Sequence, residues 1–358
     1  MSSSRRGLAA HLDALRTVVE NPSLRNAELA WGGFHLVEWA HLVALAVVAY
    51  EAGGTRAVGI VGFARMVPTA LATPFVALVA DRFRRERILV VVHVVRALAL
   101  GGAAAVLFTG GSALAVYVLA IAAAVPLAAH RPCHLALAPF LARSPRELVA
   151  ANVAVMTFES AATLAGPGLA GVALELWSPG LVFALCAAVS CVSALLVSRV
   201  RTGVTLEHAP LHVRADLAEG AHATIETPTI RLVVGLFGAQ TLVRGFTSVL
   251  IVITAIRLVD LGDSGVGYLN AAFGAGGIVG AFAAAAIVGR LGLGRPFQVA
   301  LALWSLPLVI VAAWPTSVIA LAMLALSGLG NSVLDVAGFT AMQEGIGARV
   351  VGRVFALF

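Results

Sequence analysis

The chain has 358 residues, of which 60% are apolar and 12% charged, about half the charged share of a soluble domain. A globular protein of this length has no interior large enough to hide so many apolar side chains, so lipid must solvate much of the surface. The formal charge of +6 does not point to nucleic acid: all 24 basic residues are Arg, they sit mostly in gaps between apolar runs, and they form no basic stripe interleaved with aromatics.

The opening stretch, MSSSRRGLAAHLDALRTVVENPSLRN, has no apolar core followed by a cleavage site and is not a signal peptide. Leu8, Leu12, Leu15 and Val19 share one helical face, which predicts a short amphipathic helix on the membrane surface. A spanning helix needs about 20 largely apolar residues. Runs of that size lie near 28–51, 57–80, 88–109, 112–140, 148–174, 179–198, 230–255, 264–288, 297–313 and 316–341. An eleventh begins at VVGRVFALF, where the sequence ends. TGGS, WSPG, LGDSG and AWPTS separate the runs as turn signals. Abundant Gly and Ala within them permit close helix approach in lipid.

Arginine placement sets the orientation. Eighteen arginines lie in the N-terminal arm and the even-numbered loops, against Arg56 and Arg257 alone in the odd-numbered ones. The positive-inside rule then puts the N-terminus and the even loops in the cytoplasm. The longest polar interval, 201–229, divides six spans from the rest. The expected organisation is an arm over 1–27, a six-helix bundle over 28–200, a cytoplasmic linker over 201–229 and an incomplete second bundle over 230–358. A shift of 208 residues aligns VGIVGFAR at 58–65 with VGYLNAAF at 266–273, and sets Gly289 where Asp81 stands. Such internal symmetry agrees with a transporter made of two related halves.

An ionisable side chain at mid-bilayer costs on the order of 3 kcal/mol, so each should face a wet cavity or a partner. The embedded set is Glu38, Arg65, Arg96, Arg131, Glu159, Arg244 and Asp335, with Asn270, Asn331 and Gln240 as uncharged polar groups. Glu38 and Glu159, close to mid-depth, are the leading proton-coupling candidates, because desolvation favours a neutral carboxyl. Asp335, one helical turn after Asn331, is the third. The competing reading is static pairing, Glu38 with Arg65 and Glu159 with Arg131, that only satisfies buried charge. Gly166-Pro167 in span five removes a helix donor and permits close packing, so a bend is expected there.

Other chemistry is sparse. His130 and His134 are four apart, but Pro132 and Arg131 intervene and no carboxylate neighbours them, so no metal site is expected. His35 and His41 flank Glu38 on different faces. Cys133, Cys186 and Cys191 show neither metal spacing nor pairing logic. GAGGIVG at 274–280 lies inside an apolar run without a preceding strand and is read as a packing surface. No nucleophile-and-base constellation appears, so no enzyme and no cofactor are expected.

The cytoplasmic turn after span two, ADRFRRER at 80–87, together with six spans, a linker and further spans, resembles the major facilitator superfamily. The family signature there is Gly-x-x-x-Asp-Arg-x-Gly-Arg-Arg; this chain carries Ala77, Asp81, Arg82, Phe83, Arg84 and Arg85, with both glycines replaced. RPCHLALAPFLARSPRELVAAN, GPGLAG and MQEGIGARVVGRVFA resemble landmarks of the enterobactin-exporter-like, drug-efflux-like branch. The resemblance implies an all-α polytopic membrane protein of the two-bundle type, with the last two of twelve spans missing and the second bundle truncated. It implies gating by Asp81, Arg82 and Arg85, with Asp81 latched to the start of span eleven, where Arg353 is the local partner. Independently, Asp81 at the N-terminus of span three gains about 0.3–1 kcal/mol from the helix dipole, and the neighbouring arginines suit anionic-lipid anchoring.

In the family's architecture spans 1, 2, 4, 5, 7, 8, 10 and 11 line the path. That mapping places Arg65, Arg131, Arg244, Asn270 and Asn331 along the substrate route and sets Arg96 aside as peripheral. The expected function is proton-coupled export of a small drug- or siderophore-like amphipathic molecule by a multi-pass, monomeric protein of the plasma or inner membrane, with a cytoplasmic N-terminus. Its expected partners are the small-molecule substrate, protons and membrane lipid. The alternatives are a metabolite importer or facilitator, and a non-transporting membrane sensor or scaffold.

Overall fold

The computed structural model describes the backbone of residues 13–200, 243–291 and 294–345, and the side chains among them except at 73–82, 281–291, 294–297 and 336–345. Helices account for nearly all of the described backbone, which contains no strand. The chain divides into two compact units, Met1–Ala209 and Pro210–Phe358.

In the first unit, residues 13–20 form a helical turn ahead of α1 (Pro22–Arg82). Asn21 caps α1: its Oδ1 accepts from the Ser23 and Leu24 amides at 3.1 and 3.3 Å, with Pro22 at the first helical position, where a missing N–H costs nothing. Inside α1 the backbone leaves the helix at Gly53 and Gly54, the latter at φ 62°, a conformation glycine adopts without penalty. The chain reverses there. Arg65 touches Glu38 at 2.6 Å across 27 residues, whereas a straight helix would hold them about 40 Å apart. Thus α1 is two antiparallel segments, 22–52 and 55–82.

Next come α2 (Arg85–Phe108), α3 (Ala113–Ala124), α4 (Leu127–Leu141), α5 (Pro145–Leu176) and α6 (Pro179–Ser198). Helices α3 and α4 form one apolar stretch, Ala113–Leu141, broken at Val125-Pro126. Ser144 caps α5 by accepting from the Glu147 amide at 3.2 Å, while Glu147 Oε2 reaches back one residue beyond the cap and accepts from the Arg143 amide at 2.8 Å. The same Glu147 oxygen accepts from Asn21 Nδ2, which also donates to the Leu141 carbonyl. One asparagine thus ties the start of α1 to the α4–α5 turn. Val18 is buried and packs with Ala14 and Leu15 on the unit's core, whereas Val19 is exposed. Of the expected apolar face, Leu15 thus packs on the core while Val19 does not; Leu8 and Leu12 lie outside the described residues.

The second unit contains α7 (residues 243–253), a π-helical turn Thr254–Leu258, α8 (Gly262–Leu291), α9 (Gly294–Ala313) and α10 (Ser317–Gly345). Here α8 and α9 both pack on α10. A Cβ on Gly276 would strike the Ala325 carbonyl oxygen, and one on Gly328 would strike that of Phe273, so the backbones meet where only hydrogen fits. This contact is what the GAGGIVG stretch does.

Large apolar side chains face outward on every described span, Leu98 at 72% exposure among them. Among the described residues six helices are long and apolar enough to cross a membrane, the first of them being the hairpin of α1. Soluble proteins rarely expose contiguous apolar surface of this kind. Lipid is its solvent. The linker over 201–229, the side chains of Asp81 and Arg82, and Arg353 lie outside the described residues.

Candidate functional site

Two groups of embedded ions form in the first unit. Glu38, in the N-terminal segment of α1, accepts from Arg65 Nη2 at 2.6 Å on Oε1 and from Arg96 Nη2 at 2.9 Å on Oε2. Arg96 is 1% exposed; its Nη1 also donates to the Phe34 carbonyl at 3.4 Å, and its guanidinium lies 4.1 Å from the Phe34 ring centre. His41 Nδ1 lies 2.8 Å from the Val37 carbonyl and 3.9 Å from Glu38 Oε2. Two arginines therefore clamp one carboxylate from opposite sides. Such a clamp fixes charge: removing the carboxylate would leave two buried cations unpaired. Family mapping set Arg96 aside on a peripheral helix, yet it completes the Glu38 site, and His35 is not part of it.

The second group is the pair of Arg131 on α4 and Glu159 on α5, 3.1 Å apart, with side chains 54% and 30% exposed. Arg131 also lies 5.9 Å from the Trp31 ring. Both pairings named from the sequence thus occur, with different surroundings. The Glu38 clamp is enclosed; the Arg131–Glu159 pair is open. Gly166 packs on α1, where a Cβ would come within 2.7 Å of Trp39 Cβ and 3.0 Å of the Leu36 carbonyl. Pro167 is buried beside it, and α5 continues through it without a break.

In the second unit Arg244 on α7 donates to Asp335 Oδ2 at 2.5 Å and to Asn331 Oδ1 at 3.2 Å, and Asn331 Nδ2 donates to Asp335 at 3.2 Å. Side-chain exposure is 49% for Arg244 and 26% for Asp335. Asn331 and Asp335 share a face of α10, as their four-residue spacing requires. Asn270 does not join them; its amide donates to the Val266 carbonyl of its own helix at 2.7 Å. Among the embedded ions in the described residues, each unit therefore carries one partly open arginine–carboxylate pair.

Arg85 donates to the Ala136 carbonyl at 3.1 Å and lies over Phe140, tying the start of α2 to α4. An apolar cavity of about 370 Å³ lies among α1, α5 and α6, lined by Leu36, Ala40, Leu169, Trp177 and Cys186 among others. No embedded charge lines it, so it is separate from the ion sites. Among the described residues no three His, Cys, Asp or Glu side chains converge to hold a metal ion. Two grounds for setting His130 and His134 aside do need correction. Helix α4 runs through Pro132, and a carboxylate, Glu28, lies 3.4 Å from His134. Glu28 escaped notice because the apolar run was counted from it. Asn21-Pro22 marks a helix start six residues earlier, placing Glu28 nearly two turns inside.

A family model described as Major Facilitator Superfamily matches residues 32–358. No curated protein matches the chain. Among solved structures, a mutant form of the nucleoside transporter NupG is similar with a TM-score of 0.76 at 13% identity, covering 94% of this chain and 86% of that one. A bacterial homologue of the human lysosomal transporter Spinster, inward-facing and unoccupied, is similar with a TM-score of 0.65 at 13% identity, covering 92% of this chain and 78% of that one. At this identity the likeness is one of fold.

Proposed function

The chain belongs to the Major Facilitator Superfamily of membrane transporters, and on that premise we propose that it is a proton-coupled exporter of a small amphipathic molecule, drug- or siderophore-like, working by alternating access. The observation that carries this reading is the pair of partly open intramembrane ion sites, Arg131–Glu159 in one unit and Arg244–Asp335 in the other. An ion exposed to hydrocarbon is expensive, so exposed ions at these depths face water. A hydrated arginine–carboxylate pair has what an exchanger needs: a carboxylate that can take a proton and a cation that such a step frees. Glu159 and Asp335 are the proposed coupling carboxylates. Arg131 and Arg244, with Asn331, are the proposed substrate contacts. Glu38, enclosed by two arginines, is assigned to holding α1 and α2 together.

The cytoplasmic N-terminus is part of the same proposal, supported by the arginine asymmetry, as are the monomeric state and the plasma or inner membrane location. So are Asp81, Arg82, Arg85 and Arg353 as gating residues, the bend at Gly166-Pro167 and the exporter-like branch, which rest on the resemblance of the turn after span two and of GPGLAG.

The test is uptake of a lipophilic fluorescent dye and of a ferric catecholate into inverted vesicles under an imposed pH gradient. Flux that collapses with the gradient supports the proposal. Flux indifferent to the gradient, with counterflow of unlabelled substrate, identifies a facilitator instead.

A further inference from the structure

Glu28 on α1 is 1% exposed, and among the described residues neither of its carboxylate oxygens has a hydrogen-bond donor. Its neighbour is His134 on α4, whose Nε2 stands 3.4 Å from Oε2, close enough for charge attraction but not aligned as a hydrogen bond. A bare carboxylate in such surroundings is prohibitively costly. A carboxylate beside a protonated imidazole, or a neutral acid beside a neutral one, is not. Each of these tolerable states contains one proton more than the bare pair.

The surroundings admit no second cation easily. His130, on α4, stacks on Phe34 with centroids 3.4 Å apart. His93, on α2, lies 5.3 Å from His130, and His35, on α1, lies 4.5 Å from Trp31. Arg96 from α2 faces this cluster from the Glu38 side, and Arg131 from α4, paired to Glu159 of α5, lies over Trp31. Among the described residues of this cluster, His134 is the imidazole with a carboxylate oxygen within 4 Å.

We propose that Glu28 and His134 form a single-proton binding site within the first unit, distinct from the Glu38 clamp and from the open Arg131–Glu159 pair. The proton rests on His134, as an imidazolium facing the Glu28 carboxylate. It leaves when water reaches the pair and returns when the pair is enclosed. That this exchange drives export rests on the proton-coupled reading above; the proton site itself does not.

Trp31 is a built-in reporter, with its ring 4.5 Å from that of His134, and an imidazolium at that distance quenches indole emission. The experiment uses the full chain in phospholipid vesicles and takes the emission difference between the native protein and Trp31→Phe across pH. The expected result is one step, altered in Glu28→Gln, which removes the anion facing the proton, and lost in His134→Gln. A flat Trp31 signal in the native protein overturns the proposal without any variant at the pair. So does a step that His134→Gln leaves in place, which would belong to His130 or His35. A normal Glu28-dependent step in vesicles whose flux ignores the pH gradient would leave the site standing and defeat the coupled-export reading. Gradient-driven flux with no such step would do the reverse.

Discussion

Glu38 and Glu159 look alike in the sequence, since both are carboxylates halfway along apolar runs. The structure separates them by their surroundings. Glu38 balances Arg65 and Arg96 at 2.6 and 2.9 Å in an enclosed site, and breaking such an arrangement costs about 3–5 kcal/mol. Glu38→Gln should therefore lower thermal stability in detergent by that amount, read as the loss of monodisperse protein on heating, with Arg96→Gln nearly as damaging. Arg244, half-exposed beside Asp335, should behave oppositely. A pair open to water contributes at most about 1 kcal/mol, so Arg244→Gln should leave stability almost unchanged and abolish flux. Equal stability losses at Arg96 and Arg244 would show that openness does not distinguish the two sites. The sequence permitted the Glu38–Arg65 and Glu159–Arg131 pairings because each carboxylate had an arginine on a helix expected nearby. It hid the part Arg96 plays at Glu38, and Glu28 altogether, for physical reasons. Which face of α2 turns inward depends on packing against α1, and the depth of Glu28 depends on a helix start set by Asn21 rather than by hydropathy.

At the scale of elements, most of the architecture was readable in the apolar runs because lipid rewards the same property at every position of a span. The turns show what such counting misses. Between the first two expected spans the chain reverses at Gly54, with φ 62°, and Gly54→Val would force a β-branched residue into the left-handed region at a cost of about 1–2 kcal/mol. Expression and thermal stability of that variant against Gly59→Val, where a Cβ would meet nothing, measure the difference. Helices α8 and α10 depend on missing side chains. Gly276→Val and Gly328→Val must push the backbones apart and should each cost about 1–3 kcal/mol, whereas Gly245→Val, which also faces open space, should not. The docked face of residues 13–20 could not be read from periodicity alone. Val18 rather than Val19 turns inward because Asn21 anchors the end of that turn to the Leu141 carbonyl and Glu147.

For the whole molecule, the account rests on solvent: outward apolar faces meet lipid, and the open ions meet water. The arginine asymmetry further predicts that, in a cysteine-free background, Gly111→Cys is labelled from outside intact cells and Arg143→Cys only in inverted vesicles. Labelling of both from one side would contradict the proposed orientation. The most direct test of the central claim uses the same background, with Cys133, Cys186 and Cys191 replaced by Ser. Glu159→Cys and Asp335→Cys should react rapidly with a charged, membrane-impermeant thiol reagent, while Leu98→Cys, equally embedded and 72% exposed, should stay inert. If positions 159 and 335 resist the reagent as Leu98→Cys does, these ion pairs face lipid and the proposed hydrated route is wrong.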